Sequence, residues 1–297
     1  MSKIIIKTVN LTKFYGKSRG ILDVSFEVEE GEIFGFIGPN GAGKTTTIRT
    51  LLGFLIPTKG RAEIFGLDSV KDSHIIKRQI GYVPSEVNYY DDMKTEDLLL
   101  YSSKFYLKDL RNRIKELCEI FEVPLGKKIR ELSFGNKKKL AVIQAILHQP
   151  RLLILDEPTA GLDPIMQNRF FEILKEENKK GVTIFFSSHV LNEVQKMCNR
   201  VAIIKEGEIL KIEEIEKLRS NNFKRVKIDF RQKVEFEFNL PGMNNVRKED
   251  SSIEFLYMGD LEILIKKLSQ VKVQNLVIEE PSLEEIFLHY YGKEVTK

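Results

Sequence analysis

A lysine, two threonines, two adjacent carboxylates and a histidine carry most of the chemistry this sequence can do. In Gly38-Pro39-Asn40-Gly41-Ala42-Gly43-Lys44-Thr45 the spacing is G-x-x-x-x-G-K-[ST]. Small residues in such a loop let backbone N–H groups turn inward around phosphate oxygens. The helix expected after it adds a favourable potential for anions at its start, where Thr46 also lies. Lys44 is then suited to β- and γ-phosphates, and the Thr45 hydroxyl to Mg²⁺. Farther on, the apolar run Leu152-Leu153-Ile154-Leu155 ends in Asp156-Glu157-Pro158. Carboxylates are rarely buried unpaired, so two of them at the end of a buried strand point to chemistry rather than packing. Asp156 is placed to hold Mg²⁺ through water, and Glu157 to polarise an attacking water as general base.

These groups need a scaffold that brings strand ends together. Ile33–Ile37, Leu152–Leu155 and Thr183–Phe186 are short apolar runs without strict alternation, as strands covered on both faces are. Helices are expected over Thr45–Leu55, Asn136–His148, Pro164–Lys179 and Val190–Cys198. The pattern predicts an α/β fold with a largely parallel sheet. Between about residues 75 and 150 the pattern is mostly helical, with Thr95–Tyr106 and Leu110–Phe121 carrying apolar residues at helical spacing. That region reads as an inserted helical lobe.

The character changes after the charged segment Glu213–Arg219, where Ser220-Asn221-Asn222 reads as a linker. Val226–Phe230 and Val234–Phe238 alternate like paired, half-exposed strands. Ile253–Tyr257 and Val271–Ile278 read as further strands, and Leu261–Leu268 and Ser282–Tyr290 as helices. The division is therefore residues 1–216 and a small α+β domain over 217–297.

Composition narrows the function class. Forty-two per cent of the 297 residues are hydrophobic and 30% charged, which is globular usage. The 47 basic residues face 43 acidic ones, so a net charge of +4 gives no case for nucleic acid as a partner. Cys118 and Cys198 have no metal-ligand spacing, which excludes a disulfide scaffold and suits a reducing compartment. The start of the chain reads as having no signal peptide, and no run reaches the roughly 18 apolar residues of a membrane span.

With both motifs in hand, the chain resembles the nucleotide-binding subunit of ATP-binding cassette (ABC) transporters, a P-loop NTPase fold. The resemblance covers residues 1 to about 216 and extends into the tail, where Ser282-Leu283-Glu284-Glu285-Ile286-Phe287 resembles the end of bacterial drug- and antibiotic-exporter ATPases. Leu132-Ser133-Phe134-Gly135-Asn136 stands where the family signature L-S-G-G-Q belongs. Ala160-Gly161-Leu162-Asp163-Pro164 resembles the D-loop, and Ser187-Ser188-His189 the switch-histidine loop. Tyr15 resembles the aromatic that stacks on adenine, with Phe14 next to it.

The resemblance implies ATP and Mg²⁺ as ligands, with ATP held between two cassettes, here as a homodimer. Ser133 and Gly135 would act on the partner's nucleotide, and His189 would hold the γ-phosphate and position the water. It implies a separate transmembrane permease that meets Val87–Tyr101, with exposed Tyr89 and Tyr90 as anchors, and hence a cytoplasmic, peripheral location. Ribosome-associated relatives generally carry two cassettes and chromosome-associated ones long coiled coils; this chain shows one cassette and no heptad run.

Two departures stand out. Phe134 and Asn136 replace a glycine and the glutamine of the signature. In Ile80-Gly81-Tyr82-Val83-Pro84-Ser85-Glu86, Ser85 occupies the place of the Q-loop glutamine. Serine can accept from a metal-bound water but reaches less far, so weaker coupling between Mg²⁺ and this loop is expected, with Glu86 next to it as a substitute. The run Lys137-Lys138-Lys139 reads as a solvated face.

Overall fold

A computed structural model describes residues 3–106, 109–220, 224–231 and 239–279. It divides into two units, Met1–Glu213 and Glu214–Lys297. Residues 221 and 222 of the expected linker, the strand expected at 234–238 and the helix expected at 282–290 lie outside the described residues.

In the first unit, β1 (Ile4–Tyr15) and β2 (Ser18–Glu29) precede β3 (Ile33–Ile37), which leads into the glycine loop and α1 (Lys44–Leu51). Then come β4 (Lys59–Ile64), β5 (Leu67–Asp68), α2 (Ser73–Lys77) and β6 (Ile80–Val83). The helices α3 (Thr95–Lys104), α4 (Arg111–Ile120) and α5 (Phe134–Ile146) follow. The unit closes with β7 (Leu152–Asp156), α6 (Pro164–Lys179), β8 (Thr183–Ser188), α7 (Leu191–Met197), β9 (Arg200–Lys205) and β10 (Glu208–Glu214).

The central sheet has the order β10-β9-β3-β8-β7-β6. Its pairs β3–β8, β3–β9, β7–β8 and β6–β7 are parallel, so the carboxyl ends of β3, β7 and β8 lie together. Every residue of β3, β7 and β8 is buried, as their unalternating apolar sequences require. The largely parallel expectation misses a second sheet, β2-β1-β4-β5, which is antiparallel throughout. Phe26 of β2 stacks on Phe34 of β3 and Phe185 of β8, with ring centroids 5.6 and 5.7 Å apart, and joins the two sheets in one core.

The helical lobe is smaller than expected. Ile80–Val83 is not part of it but an edge strand of the central sheet, paired with β7. The lobe is α3, α4 and α5, with Leu98, Leu99, Ile114, Leu117 and Leu140 buried. Helix α5 begins on a cap, since the Asn136 N–H donates to Ser133 Oγ at 3.2 Å. Among the described residues no helix is long and apolar enough to cross a membrane.

In the second unit, α8 (Ile215–Ser220) precedes β11 (Lys224–Phe230), β12 (Met243–Lys248), β13 (Ser252–Tyr257), α9 (Leu261–Leu268) and β14 (Val273–Glu279). The sheet order is β12-β13-β11-β14. Strand β11 finds antiparallel partners on both edges, β13 and β14, rather than in the hairpin its alternation suggested. Val226, Ile228 and Phe255 meet Leu264 and Leu268 of α9 in a separate small core.

Candidate nucleotide site

The glycine loop runs from the end of β3 to the start of α1. Two of its glycines cannot be replaced at no cost. A Cβ at Gly38 would lie 2.2 Å from the carbonyl oxygen of Ile204, and Gly43 has φ of 108° with Ile21 packed 2.8 Å from where a Cβ would stand. Both constraints come from β9 and β2 pressing on the loop. Lys44, at the first turn of α1, is buried and folds back over the loop. Its Nζ donates to the carbonyls of Gly38 at 2.8 Å and Pro39 at 3.1 Å, and lies 3.1 Å from Glu157 Oε1.

The strand ends supply the acids. Asp156 is fully buried and accepts at both oxygens: Thr45 Oγ1 donates to Oδ2 at 2.8 Å and Ser187 Oγ to Oδ1 at 2.8 Å. The second contact follows from the register, because Asp156 of β7 stands opposite Ser187 of β8. Glu157 follows with φ of 47°, a left-handed backbone that turns it out of the strand. Its other oxygen, Oε2, lies 3.2 Å from His189 Nδ1. Burial pushes the Glu157 carboxyl up, but Lys44 and then His189 more than offset it, and the net shift is downward. The Glu157 carboxylate is thus held between the Lys44 ammonium and the His189 imidazole.

Tyr15, at the end of β1, is exposed, and its hydroxyl lies 3.4 Å from Thr46 Oγ1. It is not a core residue, and its ring is open to stacking beside the loop. Thr45 Oγ1 and the Asp156 carboxylate are hard oxygens already within hydrogen-bond reach of each other, which fits Mg²⁺ held by one hydroxyl, one carboxylate, water and phosphate. Among the described residues no His/Cys/Asp/Glu group forms a metal cage by itself, and Mg²⁺ bound with phosphates needs none.

Ser133 and Gly135 form a separate locus. Ser133 caps α5, and a Cβ at Gly135 would lie 3.1 Å from the Gly161 carbonyl oxygen. The ring of Phe134 covers Gly161 so closely that a Cβ there would meet it at 2.3 Å, and the ring is still 59% exposed. Asp163 caps α6, accepting from the Met166 N–H at 3.0 Å. The signature and the D-loop thus pack on each other, and the D-loop is tied to the acidic strand end by the Ala160 N–H, which donates to the Glu157 carbonyl at 3.3 Å.

A family model described as ABC transporter matches residues 21–160. The bacitracin transport ATP-binding protein BcrA of Bacillus licheniformis is 35% identical over 97% of this chain and 97% of its own length. The chain belongs to the ATP-binding subunits of ABC transporters. The Nod factor export ATP-binding protein I of Rhizobium johnstonii is 30% identical over 100% of this chain and 98% of its own. A dimeric post-hydrolysis state of an ATP-binding cassette bound to ADP and Pi superposes with a TM-score of 0.66 at 25% identity, covering 71% of this chain and 99% of that one. The chain is an ATP-binding cassette and an ATPase.

Two expectations for this ABC subunit are corrected. Lys138 and Lys139 are not a solvated face; Lys138 is completely buried. Helix α5 turns Lys138 onto the Q-loop, where its Nζ donates to the carbonyls of Pro84 at 2.7 Å and Ser85 at 3.0 Å. Burial pulls its pKa down to about 8, against the attraction of Asp156 and Glu157. Lys137 pairs with Asp91 at 3.3 Å. Of the two tyrosines expected as exposed anchors, only Tyr90 is exposed. Tyr89 is half-buried, and its hydroxyl donates to Gln144 Oε1 at 3.4 Å.

Sequence reasoning also missed Ser187 as a functional side chain. Its signal was available: a polar residue closing a wholly apolar strand, one position before Ser188-His189. Lys138 had no comparable signal, because a lysine run reads as surface until the helix phase is known.

Proposed function

We propose that this ABC subunit hydrolyses ATP to ADP and phosphate within a homodimer of cassettes and drives a separate permease that exports a drug-like or peptide cargo. The observation that carries the chemistry is the chain Lys44–Glu157–His189, with salt-bridge distances of 3.1 and 3.2 Å, beside the Thr45–Asp156 pair.

The residues of the chain divide the work. The backbone of Gly38–Thr46 and the start of α1 receive the triphosphate, and Tyr15 stacks on the base. Lys44 is drawn to phosphate oxygens, which loosens its grip on Glu157. Glu157 then takes a proton from the attacking water at Oε1 or Oε2, and His189 orients that water. Thr45 and Asp156 would hold Mg²⁺, with Ser85 of the Q-loop as a further oxygen for a metal-bound water, and the ion would neutralise charge on the phosphates. Ser133 and Gly135 act on the nucleotide of the partner cassette through the start of α5.

The permease reading rests on a groove of about 730 Å³ between the central sheet and the helical lobe. Tyr82, Tyr90, Tyr101 and Phe105 line it, and the last three are exposed aromatics, which favour protein partners. Docking there would hold the cassette on the cytoplasmic face of a membrane. The names of the bacitracin-transport and Nod-factor-export relatives support an exported cargo.

The test is purification from detergent-solubilised membranes, with ATPase assay of the recovered complex. Recovery of a multi-span protein together with stimulated hydrolysis is expected. Recovery with ribosomal proteins or DNA instead would overturn the transporter role.

A further inference from the structure

Lys138 is the buried charge that this reading of the site does not use. Its ammonium is fully buried and spans three parts of the cassette at once. It rises from α5, five positions after the capping Ser133. It donates to two consecutive backbone carbonyls of the Q-loop, Pro84 at 2.7 Å and Ser85 at 3.0 Å. It also lies within electrostatic reach of Asp156 and Glu157. A buried ammonium is costly unless hydrogen bonds and opposite charge surround it. A neutral side chain of the same length would fill the space without that cost. The charge at this point therefore calls for a role that a packing residue does not have.

The residue it holds is the one that departs from the family pattern. Ser85 has a shorter side chain than the glutamine that the family pattern expects there. Lys138 reaches that same loop out of the signature helix and holds it by its backbone.

We propose that Lys138 is a positioning residue that stands in for the missing Q-loop glutamine, fastening the Pro84–Ser85 backbone to the signature helix. A single cation then links the loop that enters the aromatic groove to the helix whose start serves the partner cassette. The inference rests on the ATPase reading above and concerns how the site is kept in register, not which groups react.

The experiment uses the full chain with Lys138→Gln and Lys138→Met. Methionine is one atom shorter than lysine but unbranched, uncharged and suited to burial, so it provides a folded variant where glutamine does not. Glu86 is exposed next to the tethered carbonyls, so a glutamate-specific protease reports on loop opening at the Glu86–Val87 bond, read by mass spectrometry without nucleotide. Both variants are expected to be cut there at least about tenfold faster than the parent, since losing even one of the two hydrogen bonds from a charged group supports that factor. Their kcat for ATP hydrolysis should fall about tenfold while the Kd for ATP stays within about threefold. Adding Ser85→Gln to Lys138→Gln should restore kcat to within about threefold of the parent, which a purely structural lysine would not allow.

Parental cleavage rates in both variants, or no rescue by Ser85→Gln, would overturn the proposal. Failure of the parent to bind ATP would instead remove the ATPase reading, and the cleavage assay would still judge the tether.

Discussion

The ammonium of Lys44 and Oε1 of Glu157 are 3.1 Å apart, so the cation proposed for phosphate and the carboxylate proposed as base hold each other. The pair joins two motifs more than a hundred residues apart in sequence. It depends on β3 and β7 both lying beside β8, which puts the glycine loop and the acidic strand end on one edge of the sheet. On the proposed mechanism, ATP entering the loop competes with Glu157 for Lys44 and frees the carboxylate when the substrate is in place.

Glu157→Gln keeps the shape of the site and removes its basicity. ATP affinity is expected to stay within a few-fold, hydrolysis to fall by about 10²–10⁴, and dimers to accumulate with ATP. Phosphate release and size-exclusion chromatography check this. Full activity in this variant would contradict the assignment.

The same ion pair predicts a pH dependence of stability. The Glu157 carboxyl is lowered from 4.5 in the folded chain, so below that pH the unfolded state binds more protons. Its contribution is therefore complete above 4.5 and lost as pH falls through the lowered folded value. Denaturant midpoints measured from pH 6 to pH 3 should fall more steeply in the parent than in Glu157→Gln. Parallel curves would mean that the pair adds nothing.

Gly38→Ala puts a Cβ 2.2 Å from the Ile204 carbonyl oxygen. The loop or β9 must move, at an expected cost of about 1–3 kcal/mol. Thermal unfolding and nucleotide titration together should show lower stability and weaker ATP binding.

Much of this arrangement was legible beforehand. The glycine loop, the two acids after Leu152–Leu155 and His189 after Thr183–Phe186 each follow a buried parallel strand, and parallel strands bring their ends together by topology alone. The antiparallel sheet was less visible, although Val24, Phe26 and Val28 of β2 alternate with polar residues, because long-range pairing with β1 and β4 has no local signature. Lys138 was misread for a different reason. Charge argues for exposure, and only the phase of α5 together with the carbonyls of Pro84 and Ser85 reverses that. Strand β11 shows the same limit: its alternation predicted a half-buried strand but not that β13 and β14 would take both edges.

Ser133 has two duties that substitution can separate. Ser133→Asp keeps an oxygen to cap α5, so stability should stay within about 0.5 kcal/mol. It also places a carboxylate where the partner's phosphate is to be received, so ATP-driven dimerisation should be lost. Ser133→Ala should lose about 1 kcal/mol of stability as well. Chemical denaturation and ATP-dependent light scattering report the two effects separately.

Calorimetric titration of the folded chain with ATP and magnesium, next to Lys44→Ala, reaches the central claim directly. The account predicts one saturable site per chain in the parent and at least a tenfold weaker one in the variant, since Lys44 is the buried cation aimed at the triphosphate. Equal affinity in both chains, or no heat of binding in the parent, would contradict it.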